Sequence, residues 1–342
     1  MAGSASMVEL SWRGKKLEAL GEVNGAELRT RKVYPGTQTS EAGDPADWQN
    51  RLIQGERLAV LAALLPEFAG QVNLIYIDPP FMTGQDFKSG SQLAYSDKWH
   101  GDLDAYLQWL ARTLHLLYRL LAEDGSLYVH LDWRVAHYAR VILDEIFAAA
   151  LRGGGFQNEI IWHYQSGGRA TRRYARKHDT ILFYTKSARY CFHGERIGER
   201  RGPHKRNHMR KHTDEQGRVS WSITSSGRTY TYSEESRMTP ADVWSDISHL
   251  HQRDPERNGY ATQKPAALLE RILLASSEPG HLVHDCFCGS GVTPVVAEQL
   301  GRRWIASDQG DLAIASTRAR LLALPRRSPF VEQESFYLRE MP

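Results

Sequence analysis

Val72-Asn73-Leu74-Ile75-Tyr76-Ile77-Asp78-Pro79-Pro80-Phe81 is a nearly continuous apolar, β-rich run stopped by an acid, two prolines and an aromatic ring. A run of this kind suits a strand buried on both faces of a parallel sheet. Two consecutive prolines continue neither a helix nor a central strand, so they predict a rigid turn with exposed backbone. Asp78, the proline carbonyls and Phe81 are then expected together at the carboxyl end of the sheet, where open α/β sheets bind their ligands.

The flanking sequence repeats the alternation. A short apolar run at 52–53 precedes a predicted helix over 58–65, ended by Pro66. Residues 82–101 contain Gly and Ser and read as a mobile loop. Helical spacing follows at 103–121 and 135–147, with apolar strand-like runs at 127–131, 159–164 and 180–185. Helices are expected again at 265–275, from the glycine turn to 300, and at 311–324, with strands at 282–286 and 304–306 between them. This rhythm predicts a doubly wound, mostly parallel α/β sheet. It is interrupted at 187–258, which has little apolar periodicity and reads as an inserted module. Residues 1–48 read as an irregular arm and 326–342 as a tail, leaving 49–186 and 259–325 as the two halves of one domain.

A second motif, His284-Asp285-Cys286-Phe287-Cys288-Gly289-Ser290-Gly291-Val292-Thr293, runs from a strand through a glycine turn into a helix. The glycines let the backbone approach a ligand closely. Some twenty residues on, Asp308 follows the next strand, where an acid binds the ribose hydroxyls of a nucleoside-bearing cofactor. Gly-Lys-Ser/Thr is missing, which excludes a P-loop, and a third glycine is missing, which argues against NAD. The two motifs together suit chemistry on an exocyclic amine of a base. Such an amine is a poor nucleophile because its lone pair is delocalised into the ring. Asp78 and a proline carbonyl would hydrogen-bond the amino hydrogens, and Phe81 would stack on a base extruded from a duplex.

Charge distribution points to the same partner. From Arg169 to Lys211 there are fourteen lysines and arginines against Asp179, Glu195 and Glu199, a net of +11 in a chain whose total is +3. A basic block in an otherwise acidic chain is the footprint of a polyanion. Arg169, Arg172, Arg173, Arg176, Lys177, Arg200, Arg201, Lys205, Arg206, Arg210 and Lys211 are the candidate nucleic-acid contacts. His204, His208 and His212 recur at helical spacing among those cations, so phosphate contacts are expected of them and no metal. Trp99, Trp162 and Tyr164 are candidate stacking residues, with core packing the plainer role for Trp162. No apolar run is long enough to span a bilayer, and three cysteines give no disulfide framework, which fits a cytoplasmic protein. Cytosine C5 methylation needs a thiolate that follows a proline; none of Cys191, Cys286 and Cys288 does, so that chemistry is not expected. Cys286 and Cys288 are expected to pack beside the glycine turn.

Residues 73–87 and 284–293 resemble the catalytic and cofactor motifs of the beta-class DNA amino-methyltransferases, in particular the Mod-like enzymes of restriction-modification systems. The order is also similar, with the catalytic motif first and a target-recognition region between. Gly259-Tyr260-Ala261-Thr262-Gln263-Lys264-Pro265 is similar to the family's segment before the cofactor strand, and 242–247 to its exit from the recognition region. Leu52-Ile53-Gln54-Gly55-Glu56 resembles the opening strand, with Glu56 where the family often has Asp. The resemblance covers residues 50–325. It implies the S-adenosylmethionine-dependent methyltransferase fold in permuted motif order, with the two motif strands adjacent. It implies Asp78, Pro79, Pro80 and Phe81 as catalytic residues, and Asp285, Phe287, Gly289, Gly291, Asp308, Lys264, Pro265 and Glu56 as cofactor contacts. It implies double-stranded DNA as substrate, N6 of adenine as target, and a homodimer or a separate restriction subunit as partner. Asp at the first motif position leans toward adenine. The alternatives are cytosine N4, an RNA amino group, and a non-catalytic DNA-binding subunit.

Overall fold

The computed structural model describes residues 8–15, 26–36, 48–89, 91–148, 153–165, 170–200, 208–233 and 235–337. The chain divides into two compact units: the described residues up to Cys191 with those from Asp242 on, and Phe192–Ala241.

The larger unit is built on a ten-stranded sheet. Its strands are β1 (Ala26–Tyr34), β2 (Asn50–Gln54), β3 (Val72–Ile77), β6 (Leu121–Leu131), β7 (Gly155–His163), β8 (His178–Thr185), β14 (Val243–Trp244), β15 (Leu282–Asp285), β16 (Arg303–Asp308) and β17 (Phe330–Tyr337). Their order is β1-β17-β2-β16-β15-β3-β6-β8-β7-β14. From β17 through β6 each neighbour pair is parallel, whereas β8 runs antiparallel to both β6 and β7. The centre is the pairing of β3 with β15, with Leu74 opposite Val283 and Ile75 opposite His284. The chain leaves β15 for β16 on one side and β3 for β6 on the other, so a topological switch point opens between the two motif strands.

Helices α1 (Arg57–Phe68), α2 (Leu103–Leu120), α3 (Ala136–Phe147), α4 (Ala266–Ser276), α5 (Val292–Gln299) and α6 (Asp311–Ala323) fill the connections. In α2 the buried Leu107, Leu110, Leu114 and Leu117 recur at helical spacing, and the Asp102 carboxylate caps the first turn by accepting the Ala105 N–H at 2.9 Å. No helix among the described residues is long and apolar enough to cross a membrane.

Several elements differ from the sequence reading. Pro66 lies inside α1, which continues to Phe68. A proline in the last turn forfeits one backbone bond, and burial of the Phe68 ring offsets it. The expected loop at 82–101 holds a hairpin, β4 (Asp86–Ser89) with β5 (Gln92–Ser96), in which Phe87 and Tyr95 stack at 4.8 Å. The arm and the tail are not irregular where described: β1 pairs with β17, and β17 extends the sheet beside β2. Tyr34 stacks on Phe330 at 4.5 Å, and the buried Glu332 accepts Arg318 at 3.0 Å. Together they cover what would otherwise be an open sheet edge.

The smaller unit carries an antiparallel sheet of β10 (Arg210–Thr213), β11 (Val219–Ser225) and β12 (Arg228–Ser233), with a second pairing of β9 (Glu199–Arg200) and β13 (Arg237–Met238). Ser226 and Gly227 both have positive φ (49° and 75°), as a tight hairpin turn requires. The sequence grouped 187–258 as one module. In the structure Val243–Trp244 pairs with β7 and Trp244 is buried in the larger unit's core, because its ring needs apolar cover. His212 lies in a strand, not a helix, and is bonded to Ser222 Oγ at 2.6 Å; His204 lies outside the described residues.

Candidate active site

The carboxyl ends of β3, β15 and β16 surround a cleft with about 870 Å³ of non-protein space. Asp78, Asp285 and Asp308 all line it, each delivered by the end of its own strand. Residues 186 positions apart meet here: Lys264 donates to Asp78 Oδ2 at 2.5 Å. The other carboxylate oxygen, Asp78 Oδ1, is buried and has no hydrogen-bond partner among the described residues. A buried acceptor left open costs free energy, which marks it as a position for a donor from elsewhere.

The turn after Asp78 is held from below by one side chain. Asp97 is fully buried and accepts the N–H groups of Phe81 (3.2 Å), Met82 (2.9 Å) and Thr83 (2.8 Å), the Thr83 hydroxyl (2.7 Å) and the Trp99 indole (3.1 Å). These bonds hold Met82 in the left-handed region (φ 61°), a strained conformation for a side chain of its size. Tyr106 donates to the Pro80 carbonyl at 2.9 Å. Phe81 is half-buried, 6.1 Å from His130 in a stacked arrangement and 5.3 Å from Lys264 Nζ. His130 belongs to a buried polar chain: Tyr76 Oη lies 2.8 Å from its Nδ1, Asp179 lies 3.0 Å from its Nε2, and Tyr164 donates to Asp179 at 2.9 Å.

On the other side, Asp285 accepts the Phe287 N–H at 2.9 Å and the Thr293 hydroxyl at 2.6 Å. Burial pushes Asp285 up to about 7, and the negative charges of Asp78 and Asp308 add to the rise against those two hydrogen bonds. Asp308 accepts the Gly289 N–H at 3.0 Å and the Gly310 N–H at 2.9 Å, and burial raises its carboxyl above the ordinary value despite those bonds. Each oxygen of a carboxylate has two acceptor sites, so capacity for a ligand remains. Gly289 has φ +48°, and an added Cβ would lie 3.3 Å from the Tyr260 ring.

Not every expected contact reaches the cleft. Glu56 is absent from its lining; its carboxylate caps α1, accepting the Leu58 and Ala59 N–H groups at 2.9 and 3.1 Å, and pairs with Arg57 at 2.6 Å. It is Arg57 that faces the cleft, with its guanidinium 4.2 Å from the Trp109 ring. Gly291 also lies off the lining. It caps α5 at φ +79°, and a Cβ there would meet Thr317 Cα at 2.7 Å, so this glycine permits close packing of α5 on α6. Pro79 and Pro265 are buried supports, Pro265 opening α4 just beyond Lys264. Cys286 and Cys288 line the cleft as thiols, since burial pushes both well above the usual value. Trp99 packs on Tyr106 and Trp109 at 5.1 and 5.3 Å, and Trp162 is a core residue bonded to the Ile247 carbonyl.

Of the basic candidates, Arg172, Arg173 and Arg176 are exposed and Lys177 half-buried, all between β7 and β8 of the larger unit. Arg210 and Lys211 are exposed on β10 of the smaller unit, and Arg200 lies on β9. Arg169, Arg201, Lys205 and Arg206 lie outside the described residues. The sequence reading missed Arg57, Tyr95, Asp97, Trp109 and Gln309. Tyr95 and Gln309 line the cleft, and Asp97 could have been sought only as an acid within reach of a proline turn.

The DNA methylase family of N6/N4 type matches residues 72–316, and the chain belongs to that family. Its members take the methyl group from S-adenosylmethionine. The type II methyltransferase M.EcaI of Enterobacter cloacae is 30% identical over 325 residues, covering 81% of this chain and 70% of that protein. The DNA adenine methyltransferase YhdJ of Escherichia coli K12 is 29% identical over 256 residues, 74% of this chain and 76% of that one. Among solved structures, a DNA modification methylase of Thermus thermophilus complexed with S-adenosyl-L-methionine superposes with a TM-score of 0.52 at 19% identity, covering 83% of this chain and 97% of that one. The cytosine-N4-specific PvuII DNA methyltransferase gives 0.52 at 19% identity, covering 79% and 86%. At those identities the superpositions establish the fold.

Proposed function

We propose that the chain methylates N6 of adenine in duplex DNA, at a base extruded into the cleft. The observation that carries this reading is the Asp78 carboxylate, fixed through one oxygen by Lys264 and open at the other, one strand away from the glycine turn. Asp at that position and the relationship to a protein named as an adenine methyltransferase support adenine over cytosine.

The cleft suits a cationic, nucleoside-bearing ligand. Three carboxylates line it, while Lys264 is paired with Asp78 and Arg57 with Glu56. Their mutual repulsion raises Asp285, and a bound positive charge relieves it. Bound there, S-adenosylmethionine supplies a methyl group already activated on a sulfonium. Asp308 and the backbone at Gly289 hold the ribose end, and Asp285 and Phe287 border the rest. Asp78 Oδ1 accepts one amino hydrogen and the Pro79 carbonyl the other, since Pro80's is held by Tyr106. Both bonds strengthen as the nitrogen loses its conjugation and gains positive charge, which is where stabilisation raises a rate. Phe81 stacks on the base and helps exclude water.

This electrostatic arrangement predicts a pH effect. Binding a cation favours ionised Asp285, so affinity for the methyl donor is expected to fall as pH drops below about 7, approaching a limit of about tenfold per pH unit. In the ligand-free protein the sign is opposite. A carboxyl raised from 3.8 to about 7 favours the fold while protonated, and that contribution is lost as pH rises through this window. Titration calorimetry across pH 5.5–8.5 should show the affinity trend in the native chain and a flat profile in Asp285→Asn; identical profiles would remove Asp285 from the binding charge.

The decisive test is transfer from isotope-labelled S-adenosylmethionine to unmethylated genomic DNA, followed by nucleoside analysis. Label in N6-methyladenine is expected. Label in N4-methylcytosine would change the target base alone, and label in RNA with none in DNA would overturn the substrate.

A further inference from the structure

Extruding a base breaks its pairing and stacking and leaves a gap in the duplex. Proteins that open a stack often insert an apolar or aromatic side chain between base steps. The connection between β7 and β8 offers such a residue. Tyr174 is 97% exposed, with its ring in solvent. Around it, residues 170–177 carry Arg172, Arg173, Arg176 and Lys177 and no acid. A single exposed aromatic residue is ordinary by itself; one enclosed by four cations is matched to a polyanion that carries stacked rings.

Sheet register puts this connection on the edge that carries Asp78. Ile77 pairs with Val129 and Leu131 with Thr180, while His163 pairs with His178 across the mouth of the connection. Strand β7 therefore ends, and β8 begins, at the carboxyl edge of β3. Only β6 and β8 separate β3 from β7, which at about 4.8 Å per strand brings the base of the connection within about 15 Å of the Asp78 strand. The connection is also anchored. The Arg176 guanidinium lies 3.5 Å from the ring centroid of Trp133, which closely follows β6, and the Tyr164 N–H donates to the Lys177 carbonyl at 2.9 Å.

We propose that Tyr174 is a wedge that enters duplex DNA at the place vacated by the target base, with Arg172 and Arg173 on the flanking phosphates. This rests on the methyltransferase reading above. Tyrosine suits the task because its ring stacks on any base and gives up little rotamer freedom. Its exposure in the free protein means that no folding contact accounts for it.

The test uses the full-length chain and two oligonucleotide duplexes containing the site located by sequencing DNA it has methylated. One duplex is fully paired; in the other the target base faces an abasic position and is already unpaired. Tyr174→Ala is expected to slow single-turnover methylation of the paired duplex by about 10- to 100-fold, the scale of an opening cost of a few kcal/mol, and to leave the unpaired duplex near the native rate. Tyr174→Phe keeps the ring and should behave as native on both. Arg173→Ala should weaken binding to both duplexes alike, more so as salt rises. Equal loss on the two duplexes, or none on the paired one, overturns the wedge. Failure of the native chain to methylate any DNA overturns the underlying reading and the wedge with it, a distinct result.

Discussion

Asp78→Ala is expected to slow methyl transfer by about a thousandfold while keeping the affinity for S-adenosylmethionine within about tenfold. The argument rests on which oxygen is committed. Lys264 holds Oδ2 at 2.5 Å and Oδ1 is buried without a partner among the described residues, so the carboxylate is oriented before any substrate arrives. A preformed acceptor costs no reorganisation as charge develops on the amine, which is why its loss falls on the transfer step. Asp285 and Asp308 remain to attract the cationic donor. Removing Asp78 also leaves the Lys264 ammonium, 14% exposed, without its counter-charge beside a site for a cation. Affinity lost for that reason should return in Asp78→Ala combined with Lys264→Met, whereas the transfer rate should not. Asp78→Asn keeps the shape and one carbonyl-type acceptor, and should retain more activity than the alanine variant. Single-turnover rates and calorimetric affinities separate the two effects. A rate in Asp78→Ala within tenfold of native would remove the residue from the mechanism.

The parts of this fold that were legible in the sequence are those written locally. Val72–Ile77 announces a strand buried on both faces because every other constraint on it is apolar, and the two prolines end it wherever the chain goes next. The glycine turn is equally local, since the positive φ of Gly289 and Gly291 restricts the residue type at those points. Strands β1 and β17 escaped because polar residues alternate through them, and their pairing joins segments about 300 residues apart. The buried Glu332 shows why polarity misled: Arg318 and Tyr34 satisfy it, so it reads as solvent-facing while lying inside.

At the site, the sequence supplied residue types and the fold decided their employment. Glu56 has the length to cap α1 from the position before it, and that use takes its carboxylate out of the cleft and brings Arg57 in. Trp109 and Tyr260 read as ordinary residues of a helix and a loop; each becomes a wall of the cleft only when α2 and the segment before α4 converge on the same sheet edge. Their spacing in the chain, about 150 residues, carries no trace of that meeting.

Asp97 is the sharpest case, and its substitution should have the other large effect. It does not line the cleft, yet five donors converge on its two oxygens and four of them belong to the turn that follows Asp78. Asp97→Asn exchanges one acceptor oxygen for an N–H group, which then faces donors and leaves some of them unsatisfied in a buried site. Hydrogen bonds to a charged acceptor contribute about 1.5–3 kcal/mol each, and the losses within one network are not additive. A destabilisation of about 3 kcal/mol is expected, lowering Tm by about 5–10 °C. The turn should also relax, because the bond from its N–H to Asp97 is what holds Met82 at φ 61°. A displacement of about 1 Å of Asp78 and Pro79 from the amine costs about a hundredfold in rate. With the protein kept well below its Tm, kcat should therefore fall about a hundredfold while donor affinity holds, since Asp285, Asp308 and the glycine turn are untouched. That division between rate and affinity distinguishes a residue acting through the turn from one that merely stabilises the fold. A variant with lowered Tm and native kcat would leave Asp97 a structural role alone.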